Sequence, residues 1–243
     1  MIRKYVHNIF SFINYWIFRN DQSKIIFYHD IHDKTKYCDT STSLNLFKQH
    51  ISLIRSLGFE ITNNISKPRK QIIIQFDDGF KGIYDCLPFI VEHSIPIELF
   101  IIVDKIDSEN YLTANQIVEL KKTKLIKLSS HTYSHPNLAD CTEIQLIKEL
   151  KESKEKLEDL FEITVSSICF PKGLFSKNVV EKSFKYGYHS QYCSIPGSYK
   201  NKKYQNVYNR NLVQFLNVDQ LKRVLLGGAY FFDKWFWIKH YKK

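Results

Sequence analysis

Two carboxylates stand side by side in Phe76-Asp77-Asp78-Gly79, directly after the apolar run Ile72-Ile73-Ile74. At the end of a buried strand such a pair is costly unless each member is paired or binds a cation. Gly79 permits a sharp exit turn. Taken alone the motif is equally a surface turn. A second constellation, Ser130-His131-Thr132-Tyr133-Ser134-His135-Pro136, follows the strand-like run 126–129. Two imidazoles four residues apart can face the same way and grip one metal. With a carboxylate they make a three-ligand nitrogen and oxygen set with open positions, the chemistry of a catalytic zinc-type site and not of a closed structural one. A third motif, Cys169-Phe170-Pro171-Lys172-Gly173, also ends an apolar run. Its Pro and Gly fix a tight turn that presents backbone N–H groups, and such a group can serve an oxyanion.

Groups this far apart in sequence need a scaffold that brings strand ends together. Short runs rich in Ile, Val, Phe and Tyr fall at 25–28, 72–76, 97–103, 126–129, 167–170, 188–194 and 207–213, as buried strands should. Helical segments lie between them. Ser43 is placed to cap a helix that Gly58 stops, and Thr113 with Gln116 and Thr142 with Gln145 fit the capping box. Asn217 with Gln220 opens a last helix before Gly227-Gly228. After Thr142, the residues Ile144, Ile147, Leu150, Leu157, Leu160 and Phe161 read as one apolar stripe, with Lys and Glu on the opposite face. Alternating β and α units imply an α/β fold with a parallel sheet and helical crossovers. About seven strands in a single domain favour a closed or nearly closed barrel, whose strand ends share one face where active sites form.

Bulk composition bounds the rest. The chain has 243 residues, and its 44% hydrophobic content supplies a core without disulfides. The net charge of +10 comes from scattered Lys and Arg, with no zinc-finger or RNA-binding signature. That speaks against nucleic acid and for other anionic partners: a phospholipid surface, a nucleotide-sugar, a lipid-linked pyrophosphate or an acidic polysaccharide. The five cysteines lack CxxC spacing and read as reduced thiols of a cytoplasmic protein. Residues 1–23 read as an amphipathic segment: Val6 to Phe18 is interrupted by His7, Asn8 and Asn14, and is too short to span a bilayer comfortably. Residues 230–243 interleave Phe231, Phe232, Trp235, Phe236 and Trp237 with lysines. Both ends are expected to be helical extensions that cover the barrel of 24–229 or make an interfacial membrane patch. His7, His32, His50 and His93 have no partners at ligand spacing, and the absence of a Gly-x-Ser-x-Gly elbow argues against a serine triad.

The three motifs, in the order Asp-Asp, His-His, Pro-Gly, resemble those of the polysaccharide deacetylase family (the NodB-homology domain, carbohydrate esterase family four). The resemblance covers roughly 25–226, and Tyr28-His29-Asp30 and Arg210 also resemble family positions. It implies a distorted (β/α) barrel in which Asp78, His131 and His135 hold a divalent metal, zinc first and cobalt or another transition metal otherwise. Asp77 would be the general base for the hydrolytic water, and the Lys172 N–H, where the family usually has an aromatic residue, would hold the oxyanion. Phe170, Pro171 and Tyr133 would contact substrate.

Two departures stand out. Cys169 replaces the arginine frequent in the third motif, so Arg210 is expected to orient Asp77. The family's late Leu-x-His is matched only loosely by Ile238-Lys239-His240, so His29, or less well His189, is the candidate general acid. The function implied is removal of an N-acetyl or similar acyl group from a sugar, in lipid- or nucleotide-linked glycan assembly at the inner membrane face. A deformylase or O-deacetylase with the same metal, and a non-catalytic glycan-binding relic, are the alternatives.

Overall fold

The structure is a computed structural model that describes residues 19–200 and 203–229. The terminal segments 1–18 and 230–243, with His7, His240 and the aromatic tail, lie outside the described residues.

Its main sheet is parallel throughout. The strands are β1 (Lys24–Tyr28), β4 (Glu60–Ile61), β5 (Gln71–Phe76), β6 (Ile97–Ile101), β7 (Ile126–Ser130), β8 (Ser167–Cys169), β9 (Ser190–Tyr192), β10 (Val207–Tyr208) and β11 (Asn211–Leu212). Their order is β10-β9-β8-β7-β6-β5-β1-β11, with β4 alongside β5. Two short strands, β2 (Asp30–His32) and β3 (Ser41–Ser43), pair separately. Each of β1, β5 and β6 is buried along its whole length, which explains their unbroken apolar runs.

The expected run at 207–213 is two strands, not one. β10 pairs with β9 at one edge of the sheet and β11 pairs with β1 at the other. Only Asn209 and Arg210 separate them. Three Cα steps span at most about 11 Å, so the two edges must lie near one another. The sheet is therefore curled into a barrel with one open seam, and Arg210 crosses it.

The helix signals are largely realised. Ser43 caps the helix Leu44–Ser56, and Gly58 follows it at φ +74°. Reciprocal capping-box bonds start the helices at Ala114, Glu143 and Val218. The stripe after Thr142 is different. Ile144 is 82% exposed, and Ile147 and Leu160 are exposed too, while Leu146, Glu149, Leu150, Ser153, Leu157 and Phe161 face inward. A π-helical turn over Ile147–Glu152 lies between the α-helices Glu143–Leu146 and Ser153–Phe161. Its i→i+5 hydrogen bonding puts more residues into the turn and so rotates the face that a uniform helical period would bury.

Candidate metal and catalytic site

Because every strand runs the same way, residues just past the strand ends gather on one rim. His29 follows β1, Asp77 and Asp78 follow β5, His131 follows β7, and Phe170 follows β8.

The two adjacent carboxylates point to different tasks. Asp78 and Gly79 both adopt left-handed backbone, at φ +74° and +85°. That geometry costs a non-glycine residue about 1–3 kcal/mol, and it turns Asp78 away from its neighbour. Asp78 Oδ1 lies 3.3 Å from His131 Nε2 and 3.6 Å from His135 Nε2. His131 is fixed from behind, since its Nδ1 donates to the Cys169 carbonyl at 2.8 Å. That bond fixes the orientation of the ring and turns Nε2 toward Asp78.

The donor atoms of Asp78, His131 and His135 all lie within 4.8 Å of one another. Asp78 Oδ1 is buried without a hydrogen-bond partner, the condition that a cation between these atoms would relieve. Burial, and His131 next to it, push the His135 pKa down to about 4, which keeps this imidazole in its ligating neutral form. Burial also disfavours charge on His131, yet Cys169 and Asp78 raise its pKa well above the ordinary value. The cluster draws positive charge. These residues fit a divalent metal.

Asp77 faces into the barrel. Arg210 grips it through both oxygens, Nη1 to Oδ1 at 2.7 Å and Nη2 to Oδ2 at 2.8 Å. Burial alone would raise the Asp77 pKa, but Arg210 overcomes it and holds the carboxyl at about 2. Arg210 is itself fully buried; its Nε donates to the Cys193 carbonyl at 3.0 Å, and its guanidinium lies 4.1 Å over the Phe27 ring. The Cys169 thiol sits 2.8 Å from Arg210 Nη2, so the side chain that stands in the arginine position of the third motif leaves room for Arg210.

His29 is half-buried, with Nδ1 2.7 Å from Gln214 Oε1. It is close enough to lower the pKa of both Asp77 and Asp78. His189 sits exposed just before β9, at the opposite rim, so the structure removes it as an acid candidate.

The Pro-Gly turn is strained: Lys172 has φ +58° and Gly173 φ +69°. A Cβ on Gly173 would lie 2.6 Å from the Ser194 side chain, so this position needs glycine. Gly173 and Leu174 direct their N–H groups back to Phe170 O and Pro171 O.

Phe170 corrects an expectation. It is fully buried and stacked on Phe175, 5.1 Å between centroids, so its ring supports the turn and offers no face to a substrate. Pro171 is buried beside it, while Tyr133 is half-exposed under Lys148. Gln214, the Cys169 carbonyl and Glu149 belong to the site's support and carry no local sequence signal.

With that geometry, the chain belongs to the polysaccharide deacetylase family, whose model matches residues 64–191, just over half of it. Among its relatives, YxkH of Bacillus subtilis (strain 168) is 24% identical over 200 residues, covering 75% of this chain and 69% of YxkH. A poly-beta-1,6-N-acetyl-D-glucosamine N-deacetylase of Staphylococcus aureus (strain MRSA252) is 28% identical over 139 residues, covering 50% of this chain. The chain spans about half of that enzyme, 48% of its length. In fold it is similar to IcaB from Ammonifex degensii, with a TM-score of 0.75 at 17% identity, covering 87% of this chain and 98% of the other.

Proposed function

We propose that this protein is a metal-dependent deacetylase that hydrolyses the N-acetyl group of an amino sugar within a glycan. The observation that carries the reading is the division of labour between neighbours: Asp78 joins two imidazoles while Asp77 is held ionised by Arg210. A divalent cation bound by Asp78, His131 and His135 would acidify a water and polarise the acyl carbonyl.

The other steps fall to the chain's own residues. A carboxylate with a pKa near 2 is a weak base, so Asp77 suits a water already made acidic, accepting its proton as the oxygen attacks the carbonyl carbon. The Lys172 N–H is assigned to the tetrahedral oxyanion. His29, held through Nδ1 by Gln214, has Nε2 left to protonate the nitrogen as the C–N bond breaks. Acetate and a free amine result.

A polymeric substrate with β-1,6-linked N-acetylglucosamine is the first candidate, because an enzyme named for it matches half of this chain. A lipid- or nucleotide-linked glycan, handled in the cytoplasm at the inner membrane face, remains part of the proposal. Among the described residues no helix is long and apolar enough to cross a membrane.

The test is acetate release from β-1,6-linked N-acetylglucosamine oligomers by Zn²⁺-loaded protein. Wild type should release acetate and leave free amines, while Asp77→Asn should be slower by a factor of at least about 100. Equal turnover in the variant would contradict the role given to Asp77.

A further inference from the structure

Five residues carry the chain from one imidazole to the other, and every N–H among them has a named acceptor. His131 donates to the Ile101 carbonyl at 2.8 Å, Thr132 to Ser130 Oγ at 3.1 Å, and His135 to Thr132 Oγ1 at 3.0 Å. The two in the middle converge on one distant side chain. Tyr133 and Ser134 both donate to Glu149 Oε2 at 2.9 Å, and the Ser134 hydroxyl donates to Glu149 Oε1 at 2.6 Å. On the other side the loop accepts Val103 N–H at Thr132 O and Asp104 N–H at Tyr133 O.

The loop needs such a clamp. Thr132 and His135 hold left-handed backbone at φ +70° and +65°, conformations that persist only when the surroundings over-determine them. Glu149 is itself costly: the residue is 5% exposed, and among the described residues no Lys, Arg or His forms an ion pair with it. Only hydrogen bonds offset its burial. It reaches the loop from the π-helical turn Ile147–Glu152, a device that recurs at functional sites. The turn is locked in turn by Ser153, whose hydroxyl donates to Glu149 O at 2.6 Å.

We propose that Glu149 is a positioning residue for the metal site: by pinning the Tyr133 and Ser134 amides it sets the directions of the His131 and His135 imidazoles. The proposal rests on the reading of Asp78, His131 and His135 as metal ligands. Groups that orient ligands from behind change metal affinity by about 10–100-fold when removed.

The experiment is competitive Zn²⁺ titration of metal-free wild type, Glu149→Ala, Glu149→Gln and Ser134→Ala, with urea unfolding of each metal-free protein beside it. Glu149→Ala should bind Zn²⁺ about 10–100-fold more weakly. Glu149→Gln keeps one acceptor oxygen of the same shape, so it should recover most of the affinity. Ser134→Ala loses one bond of the clamp and should weaken binding by about 3-fold. Should Glu149→Ala fail to fold, the Gln and Ser134 variants carry the same comparison. Unchanged Zn²⁺ affinity in folded Glu149→Ala, or in Ser134→Ala where the former does not fold, overturns the proposal while leaving the metal site intact. Failure of wild type to bind Zn²⁺ overturns the metal reading, and the proposal with it.

Discussion

Arg210 and Asp77 meet end-on inside the barrel, both guanidinium nitrogens on both carboxylate oxygens at 2.7 and 2.8 Å. Arg210 sits in the two-residue link that crosses the seam between β10 and β11, so the residue that orients the carboxylate stands where the two edges of the sheet approach each other. Arg210→Lys keeps the charge but loses the planar fork. Turnover should fall by a factor of about 100 or more with KM little changed, since the contact acts on the base and not on the sugar. Steady-state kinetics on the loaded enzyme check this, and a larger change in KM than in kcat would count against it.

Cys169 is the counterpart of that arrangement. It is fully buried, with its sulfur against Arg210. Placing the arginine frequent in the family's third motif here would put two guanidinium groups on one carboxylate in a space filled by a thiol. Cys169→Arg should therefore destabilise the fold by about 3 kcal/mol or more. Urea unfolding measures it. A stability equal to wild type would mean that the interior can open to accept both.

The His29 and Gln214 pair separates two kinds of loss. Gln214→Leu removes the acceptor at Nδ1 but leaves the imidazole, so it should reduce kcat by about 10-fold. His29→Gln removes the proton donor and should reduce it by about 100-fold or more. The gap should narrow on a substrate whose leaving group needs no proton, such as an activated acetate ester. If both variants match wild type on the amide, His29 is not the acid.

Asp30 gives a pH signature separate from the residues of the candidate site. Burial raises its pKa to about 6, against the opposing influence of the Ser41 hydroxyl and nearby backbone N–H groups. A folded pKa above the unfolded value of about 3.9 means that this residue's contribution is fully present below about pH 4. It is lost as pH rises through about 6, an effect on the order of 3 kcal/mol. Asp30→Asn should lack that part of the decline, so its stability relative to wild type should grow between pH 4 and pH 7. A constant difference across that interval would refute the assignment.

The clustering of the candidate site was legible in the sequence where it was local. Asp77-Asp78-Gly79 and His131 with His135 announce themselves by spacing, because each set lies in one turn past one strand. The capping boxes at Thr113, Thr142 and Asn217 were legible for the same reason. What stayed hidden involves distance. Nothing near Glu149 shows that its carboxylate reaches back to Tyr133 and Ser134, and a uniform helical period placed it on the solvent face until the π-helical turn is known. The run at 207–213 looks like one strand, because its division depends on which edges of the sheet it joins. The inward packing of Phe170 leaves no mark in the motif either, because a residue beside a site can serve it by filling the core behind it.

The most direct test of the account is metal content by elemental analysis, on wild type reconstituted with Zn²⁺ or Co²⁺ and on the His131→Ala/His135→Ala double variant. The account predicts about one transition metal ion per wild-type chain and none in the variant, as expected when two of three ligands are removed. A wild-type chain that retains no metal, or a double variant that retains as much as wild type, would contradict it.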